Sequence, residues 1–298
     1  MIFSILTTII VSIFGLSFNL DNLPIEHYAS VIEKPPTYHL PIKKTGVSDL
    51  DILADSAAVL DIKDNLFIFE KNANEVRRLA SITKLMAALV FLDNNPGWDK
   101  TYSIQREDRR DGGAVYLYLG EEVTVKDLFY AMLVGSDNTA DIALIHASGL
   151  TEEDFVQKMN EKARYLGFFN TKFADPVGLS NDNVSTAREV ALLVKTALDN
   201  SDIFKAVATD EVEIVTAEGQ KKTIKSTNYL LNNFSSERAR ILGGKTGHTD
   251  LAGYCLAAKF TDSNQHDIIS VVLGADSELE RFRQSARLVN WVYDNFDW

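Results

Sequence analysis

Ser81 and Lys84 carry side chains that could act as a nucleophile and a base. Both lie just ahead of the apolar run 85–92. This run is rich in Leu, Met and Ala, which favour a helix, and it is too long for a typical strand. Residues three apart share one face of a helix, so we expect Ser81 and Lys84 to point the same way. A serine hydroxyl becomes a good nucleophile when a base removes its proton, and a neutral lysine amine can be that base. At a helix N-terminus, unpaired backbone N–H groups would also favour developing negative charge.

Two further motifs follow in the chain, Ser-Asp-Asn at 136–138 and Lys-Thr-Gly at 245–247. A Ser-x-x-Lys pair alone is expected about once by chance in a chain of this length and average composition. The ordered set of Ser-x-x-Lys, Ser-Asp-Asn and Lys-Thr-Gly is instead the motif set of class A β-lactamases and penicillin-binding proteins. The combination is therefore far more specific than its first member.

With these motifs and their flanks, the sequence resembles the low-molecular-mass penicillin-binding proteins, which are serine D-alanyl-D-alanine carboxypeptidases. The resemblance runs from about 51 to 298, and its flanks are Leu-Ala-Ser-Ile-Thr-Lys-Leu-Met at 79–86, Phe-Ala-Asp-Pro-Val-Gly-Leu at 173–179, Ser-Thr-Ala-Arg at 185–188 and Gly-Lys-Thr-Gly-His-Thr-Asp-Leu-Ala-Gly at 244–253. It implies an α+β fold of the β-lactamase/transpeptidase type, with an antiparallel β-sheet flanked by helices and an inserted all-helical lobe. We expect that lobe at about 94–205, and the active site in the cleft between lobe and sheet.

The resemblance also implies a role for each motif residue. Ser81 would attack the penultimate D-alanine carbonyl and form an acyl-enzyme, Lys84 would take its proton, and Ser136 would relay a proton to the departing amine. The substrate-binding residues that it implies are Asn138, Lys245, Thr246, Gly247 and His248.

Within that set, Asn138 would hold a peptide carboxamide and help orient the base, while Lys245 and Thr246 would hold the terminal carboxylate of the substrate. The backbone N–H groups of Ser81 and His248 would form an oxyanion hole, worth several kcal/mol in such sites. We expect a glycine at 247 because a side chain there would crowd the ligand.

Lys84 must be neutral to act as a base. An ordinary lysine has a pKa of about 10.4, so its deprotonation at pH 7 costs about 4–5 kcal/mol. We expect the like charge of Lys245 to supply about 3 kcal/mol at a separation of about 5 Å. Partial burial in the cleft would supply the rest.

The reaction that the resemblance implies is removal of the terminal D-alanine from peptidoglycan stem peptides, with no metal or organic cofactor, and β-lactam antibiotics would be covalent inhibitors. D,D-endopeptidase action on cross-links is the nearest alternative, because the same motifs serve both reactions. A β-lactamase of the same fold would need a deacylating glutamate in the loop 171–183, which contains none. A non-catalytic cell-wall-binding or β-lactam-sensing module is a different class of function, and the three intact motifs argue against it.

Composition excludes several other functions. The net charge of −12 argues against nucleic-acid binding, which requires basic patches. The single cysteine, Cys255, excludes an internal disulfide and a cysteine-based metal cluster. The five histidines include no His-x-x-x-His pair, so a zinc peptidase has little support.

The start of the chain carries an apolar leader and a proline-rich stretch. Residues 2–18 contain no charged side chain, so we interpret 1–20 as a signal peptide or an N-terminal membrane anchor. Four of the six prolines lie between 21 and 48, which predicts a semi-rigid linker over 21–50 ahead of the catalytic domain at 51–298. We therefore expect an extracytoplasmic protein that is either secreted or anchored to the cell membrane by this segment. A second Lys-Thr-Gly at 44–46 precedes the nucleophile within the linker, and we interpret it as coincidence.

Local patterns also predict the secondary structure of the domain. The sequence predicts strands at 57–62, 66–70, 212–216, 222–225, 257–261 and 267–273, and helices from 81 onward and at 125–134, 137–147, 152–166, 186–200 and 279–296. In the closing helix, the candidate core residues are Phe282, Leu288, Trp291, Val292 and Phe296.

Overall fold

The computed structural model describes residues 40–298. The predicted leader at 1–20 and the part of the predicted linker up to residue 39 lie outside these residues. The strands, in chain order, are β1 (Ile42–Lys43), β2 (Ser56–Asp61), β3 (Leu66–Lys71), β4 (Arg77–Arg78), β5 (Thr101–Ser103), β6 (Glu122–Thr124), β7 (Val184–Ser185), β8 (Glu211–Val215), β9 (Lys221–Lys225), β10 (Ala239–Thr249), β11 (Gly253–Asp262), β12 (Asp267–Ala275) and β13 (Phe296–Asp297). The α-helices are α1 (Lys84–Asp93), α2 (Val125–Val134), α3 (Asn138–Ala147), α4 (Glu152–Tyr165), α5 (Ala187–Leu198), α6 (Ser201–Val207), α7 (Leu230–Asn233) and α8 (Glu278–Asn295).

The central sheet is antiparallel and has the strand order β10-β11-β12-β2-β3. Its strands come from both ends of the domain, because β2 and β3 precede the helices α1 to α6 whereas β10 to β12 follow them. The predicted arrangement, an antiparallel sheet with an inserted helical lobe, is confirmed. The structure also confirms the predicted hairpins β2–β3 and β8–β9.

The middle of the sheet is covered on both faces. Every residue of β2 is buried, and successive side chains point to opposite faces of a strand. Ala58 and Leu60 pack with residues of the helical lobe, while Ala57 and Val59 pack with Phe282 and other residues of α8. Because neither face meets water, β2 reads as a continuous apolar run and not as an alternating pattern.

The helix that follows the proposed nucleophile, α1, lies inside the helical lobe. Its residues from Lys84 to Ala88 are all buried, as are Val90 and Phe91. A helix that is apolar nearly all round is a core helix, which explains why the run 85–92 shows no polar face. Lys84, at the start of α1, therefore lies in a fully packed environment.

The two ends of the described chain are paired with each other. Ile42 pairs with Asp297 and Lys43 with Phe296, and the Trp291 indole donates a hydrogen bond of 3.3 Å to the Ser48 carbonyl. Residues 42–48 are thus hydrogen-bonded to the end of the domain, although most of them are exposed and we predicted them as part of an extended linker. The physical reason is that the prolines of this stretch end at 41, so the backbone N–H groups beyond it are free to pair.

The closing helix α8 occurs close to where it was predicted, and Phe282, Leu288 and Val292 are in its core. Trp291 is only partly buried, and Phe296 is buried but belongs to β13 and not to the helix. Among residues 40–298, no helix has both the length and the apolar character that crossing a bilayer requires.

Candidate active site

Ser81 lies in a short 3-10 helix, Ala80–Thr83, and α1 begins directly after it at Lys84. The predicted α-helical start is thus a tighter turn. In a 3-10 helix residues three apart lie above one another, so the predicted shared face of Ser81 and Lys84 is retained. Ala80 has a φ of 46°, a left-handed conformation that is uncommon for a residue with a Cβ. Strained backbone of this kind persists only where the surrounding structure holds it, and it clusters at functional sites.

Two glycines hold the turn that carries Ser81. A Cβ on Gly178 would lie 2.1 Å from the Ala80 carbonyl oxygen, and one on Gly247 would lie 2.8 Å from the Leu79 carbonyl oxygen and 3.1 Å from the Ser81 nitrogen. Neither position has room for a side chain. We predicted that a glycine at 247 would be needed to leave room for the ligand. The protein atoms that exclude a side chain at 247 are those of the nucleophile turn, and the need to leave room for a ligand stays a prediction.

The Lys84 amine is fully buried and has defined partners. Its Nζ donates hydrogen bonds to Asn138 Oδ1 at 2.7 Å and to the Val177 carbonyl oxygen at 2.6 Å. Asn138 in turn donates from Nδ2 to the Gly112 carbonyl oxygen at 2.9 Å, so its amide oxygen faces the lysine. The predicted contact between Asn138 and the base is therefore present. The Val177 carbonyl was not foreseen, because a backbone acceptor leaves no mark in a sequence.

A buried carboxylate, which the sequence analysis missed, lies beside the same amine. Asp141 is 1% exposed, and its Oδ2 lies 3.6 Å from Lys84 Nζ. It follows Asn138 by three positions on α3, so both side chains share a face of that helix. This spacing is the one sequence signal that could have identified Asp141.

Ser136 lies just before α3, where the sequence predicted the start of a helix. The N-cap is Asp137, whose Oδ1 accepts hydrogen bonds from the Thr139 and Ala140 nitrogens at 2.8 and 3.1 Å. Ser136 itself has a φ of 59° and stands outside the helix. Its hydroxyl is consequently not used for capping and accepts a hydrogen bond of 2.8 Å from Lys245 Nζ.

The Lys-Thr-Gly motif lies on β10, an outer strand of the central sheet that faces the turn of Ser81. Lys245 is buried, and besides Ser136 it contacts the Thr246 carbonyl oxygen at 3.1 Å. The Thr246 hydroxyl is 2.6 Å from the hydroxyl of Thr227, in the Ser-Thr-Asn stretch at 226–228. The structure thus places this stretch, which follows β9, against the motif.

Burial dominates the electrostatics of the two lysines. It lowers the pKa of Lys84, and the neighbouring carboxylates of Asp141, Asp175 and Asp137 oppose that shift. Burial also lowers the pKa of Lys245, and the charges of Lys84 and Arg281 lower it further. We expected the like charge of Lys245 to be the larger influence on Lys84, and this was wrong because the amine is completely enclosed. A lysine with a lowered pKa is one that can be neutral near neutral pH.

His248 and Arg281 complete the wall on the β10 side. The His248 imidazole is exposed and stacks on Tyr254, with ring centroids 3.9 Å apart. Arg281 on α8 is 4% exposed and donates from Nη1 to the Gly247 carbonyl oxygen at 3.2 Å. This hydrogen bond joins α8 to β10. The two residues are too distant in sequence for the contact to be predicted.

The loop 171–183 contains only two carboxylates, Asp175 and Asp182. The Asp175 side chain accepts hydrogen bonds from the backbone nitrogens of Gly178, Leu179 and Ser180. Asp182 is exposed on the surface. Asp175 therefore shapes the loop.

These residues meet in one cleft of about 950 Å³. Ser81, Ser136, Asn138, Thr246, Gly247 and His248 line it, together with the apolar side chains of Leu179, Tyr229, Leu279 and Phe282. Lys84 and Lys245 lie behind this lining, bonded to Asn138 and Ser136. All eight residues singled out in the sequence thus belong to one site or its immediate support.

Comparison with known proteins agrees with this geometry. Residues 43–277 match the family model described as D-alanyl-D-alanine carboxypeptidase. The carboxypeptidase DacF of Bacillus subtilis is 31% identical over 84% of this chain, which spans 64% of that protein's length. A D-alanyl-D-alanine endopeptidase of Haemophilus influenzae is 37% identical over 68% of this chain and 69% of its own length.

Solved structures show the same fold. The DD-transpeptidase of Streptomyces K15 superposes with a TM-score of 0.75 at 28% identity, covering 83% of this chain and all of that one. Penicillin-binding protein D2 of Listeria monocytogenes, in its cefotaxime-bound form, superposes with a TM-score of 0.71 at 32% identity and the same coverage. With its three motifs gathered in one cleft, the chain belongs to the D-alanyl-D-alanine carboxypeptidase family of serine hydrolases.

Proposed function

We propose that this protein removes the terminal D-alanine from peptidoglycan stem peptides through an acyl-enzyme on Ser81. The observation that carries the proposal is the pair of hydrogen bonds made by the Lys84 amine. They run to Asn138 Oδ1 and to the Val177 carbonyl oxygen, and they fix the amine beside the turn of Ser81. A neutral amine has two N–H groups and one lone pair. With both N–H groups engaged, the lone pair is left for the Ser81 proton.

In the first step, Lys84 takes the hydroxyl proton while Ser81 Oγ bonds to the penultimate D-alanine carbonyl carbon. The backbone N–H groups of Ser81 and His248 stabilise the resulting oxyanion. The peptide C–N bond then breaks, and Ser136 passes its proton to the departing D-alanine nitrogen. The proton that Lys84 took from Ser81 replaces it, so that Lys84 is neutral and Ser136 is a hydroxyl again. Water hydrolyses the ester and restores the Ser81 hydroxyl.

Lys245 has two roles in this scheme. Its hydrogen bond to Ser136 Oγ connects it to the proton relay. Together with Thr246 it would bind the free carboxylate of the substrate, an anion whose approach favours the charged form of the Lys245 amine. That carboxylate is what distinguishes a chain terminus from an internal peptide bond.

The test is D-alanine release from diacetyl-L-lysyl-D-alanyl-D-alanine by the full chain. We expect release by the wild type, none above background by Ser81→Ala, and wild-type release by the control Ser103→Ala at a surface strand. A wild type that binds penicillin but releases no D-alanine would overturn the proposal in favour of a non-catalytic sensing module.

Endopeptidase action on peptide cross-links is the second candidate, because relatives of comparable identity in Haemophilus influenzae and Escherichia coli are named endopeptidases. The two activities are separated by a cross-linked muropeptide dimer with pentapeptide ends. A carboxypeptidase frees D-alanine and leaves the dimer intact, whereas an endopeptidase produces monomers.

We also propose that the protein acts outside the cytoplasm, with residues 1–20 directing its export or holding it at the membrane. The support is the uncharged run at 2–18 and the peptidoglycan substrate itself. Fractionation of bacteria that express the full chain tests this. We expect the protein in the membrane or the exported fraction, and a full chain found only in the cytosol would contradict it.

A further inference from the structure

The carboxylate of Asp141 is an isolated acidic group in the interior of the site. Its Oδ2 has no hydrogen-bond donor among the described residues, and its nearest charged partner is Lys84 Nζ at 3.6 Å. The other two carboxylates near the base are satisfied by backbone nitrogens: Asp137 caps α3, and Asp175 holds its loop. Of the three carboxylates whose charges act on Lys84, Asp141 has the largest influence, and its Oδ2 is the one without a hydrogen-bond donor among the described residues.

Resting on the function proposed above, we propose that Asp141 is a positioning residue for the base Lys84. Its carboxylate holds the ammonium form of Lys84 and so sets the pH at which the site becomes able to acylate Ser81.

The charges around this pair come from several elements. Lys84 is on α1, Asp141 on α3 and Lys245 on β10, while Asp137 precedes α3 and Asp175 lies in the loop 171–183. Burial raises the pKa of Asp141 and lowers that of Lys84, while the charge of each favours the charged form of the other. The attraction between them therefore works against the loss of the Lys84 proton.

An opposite charge within about 4–6 Å shifts a pKa by about 1–3 units. If Asp141 is made neutral, the ammonium form of Lys84 loses that stabilisation. Lys84 then gives up its proton at a lower pH and can act as a base there. A residue that only supported the packing would have a different effect, because its loss would slow acylation at every pH.

The experiment measures the second-order rate of acylation by benzylpenicillin from pH 5 to pH 9, using intact-mass analysis of the quenched full chain. We expect Asp141→Asn to move the acid limb of the profile to lower pH by at least about one unit, so that at the midpoint of the wild-type acid limb the variant acylates faster than the wild type. Asp141→Glu, which keeps a carboxylate, should retain an acid limb near that of the wild type.

The matched control is Asp61→Asn, because Asp61 is also a buried carboxylate, 1% exposed, but bonds the Trp298 indole at 2.8 Å and not a lysine. Its acid limb should be that of the wild type. An acid limb unmoved in Asp141→Asn, in a protein that acylates normally at high pH, would overturn the role of Asp141 and leave the function proposed for Ser81 intact. Absence of acylation in the wild type at every pH would overturn the proposed function itself.

If thermal unfolding shows that Asp141→Asn does not fold, a measurement on the wild type tests the same proposal. A titration of its ¹³C-labelled aspartate carboxyl groups should show Asp141 ionising below the midpoint of the acid limb. A carboxyl that stays protonated throughout the acid limb would contradict the proposal.

Discussion

Lys245 Nζ donates a hydrogen bond of 2.8 Å to Ser136 Oγ and so joins the last of the three motifs to the second. The contact is possible because Ser136 is held outside α3 in a left-handed conformation, while Asp137 takes the capping role. A buried lysine thereby has access to the hydroxyl that we propose as the proton relay. Lys245 therefore connects the proposed proton relay to the proposed carboxylate-binding site.

We therefore predict that Ser136→Ala lowers the rate of acylation by benzylpenicillin by about 10²–10⁴-fold, the usual contribution of a positioned proton-transfer group. Stability should change little, because alanine keeps the Cβ of serine and Lys245 retains the Thr246 carbonyl. Intact-mass kinetics measure the rate. The control Ser148→Ala, near the other end of the same helix, should acylate normally, and equal rates in the two variants would exclude the relay.

A second prediction concerns the base. Lys84→Arg should abolish acylation although the positive charge persists, because a guanidinium stays protonated and cannot accept the Ser81 proton. The measurement is the same intact-mass assay at pH 8.

The control for this change is Lys222→Arg, since Lys222 is also largely enclosed, with a side chain 13% exposed, and bonds the Tyr116 carbonyl outside the base's surroundings. It should acylate like the wild type. Acylation of Lys84→Arg at near-normal rate would rule out Lys84 as the base.

A third prediction follows from the packing of the nucleophile turn. Gly178→Ala places a Cβ 2.1 Å from the Ala80 carbonyl oxygen at a φ of +91°. Overpacking of this kind costs about 1–3 kcal/mol, and the left-handed backbone adds about 1–2 kcal/mol for alanine. We expect lower stability to urea together with strongly reduced acylation, because the Ser81 nitrogen is displaced.

Gly167→Ala separates these two effects, because its φ is +80° and nothing lies within 4 Å of the added Cβ. It should show only the backbone cost, about 1–2 kcal/mol, and normal acylation. If both variants lost the same stability and kept full acylation, the close packing of Gly178 would have no functional role.

The sequence predicts the site through short-range spacing. Ser81 and Lys84 share a face in either kind of helix, so the pairing held although the turn is of the 3-10 type. Strands β2 and β12 were predictable because they are buried on both faces and their sequences are nearly continuous apolar runs. Within the site, the motif residues were identified because their residue types and their order along the chain match a known motif set.

Other contacts could not be predicted from the spacing of residues in the sequence. The sequence analysis did not identify Asp141, because an acidic side chain on a helix is usually solvated, but α3 is buried from Asn138 to Ile145. The pairing of Ile42 with Asp297 joins positions at opposite ends of the described chain, and no local pattern marks it. Such features depend on the completed tertiary structure.

A fourth prediction concerns the loop that supplies the Val177 carbonyl to Lys84. Asp175→Ala removes the acceptor of three backbone N–H groups and leaves that of the buried Gly178 unsatisfied, which costs about 1–3 kcal/mol. We expect acylation to fall at least about tenfold, since a shift of about 1 Å in a supporting group is costly for catalysis. The control Asp182→Ala removes an exposed carboxylate of the same loop and should leave both stability and acylation unchanged.

The last prediction is that benzylpenicillin acylates Ser81 and remains attached. A β-lactam presents a strained carbonyl together with a carboxylate, which Lys245 and Thr246 would bind as they bind the substrate terminus. With peptide, D-alanine leaves and water can reach the ester. With penicillin, the leaving nitrogen stays tethered to the acyl group and obstructs the water.

Enzymes that overcome this obstruction use a carboxylate to activate the deacylating water. In the loop 171–183, Asp175 is occupied by backbone N–H groups and Asp182 is exposed. Intact-mass analysis should therefore show one adduct that persists through prolonged incubation and is absent from Ser81→Ala. Hydrolysis of a chromogenic cephalosporin at many turnovers per second would contradict this prediction and would identify the protein as a β-lactamase of the same fold.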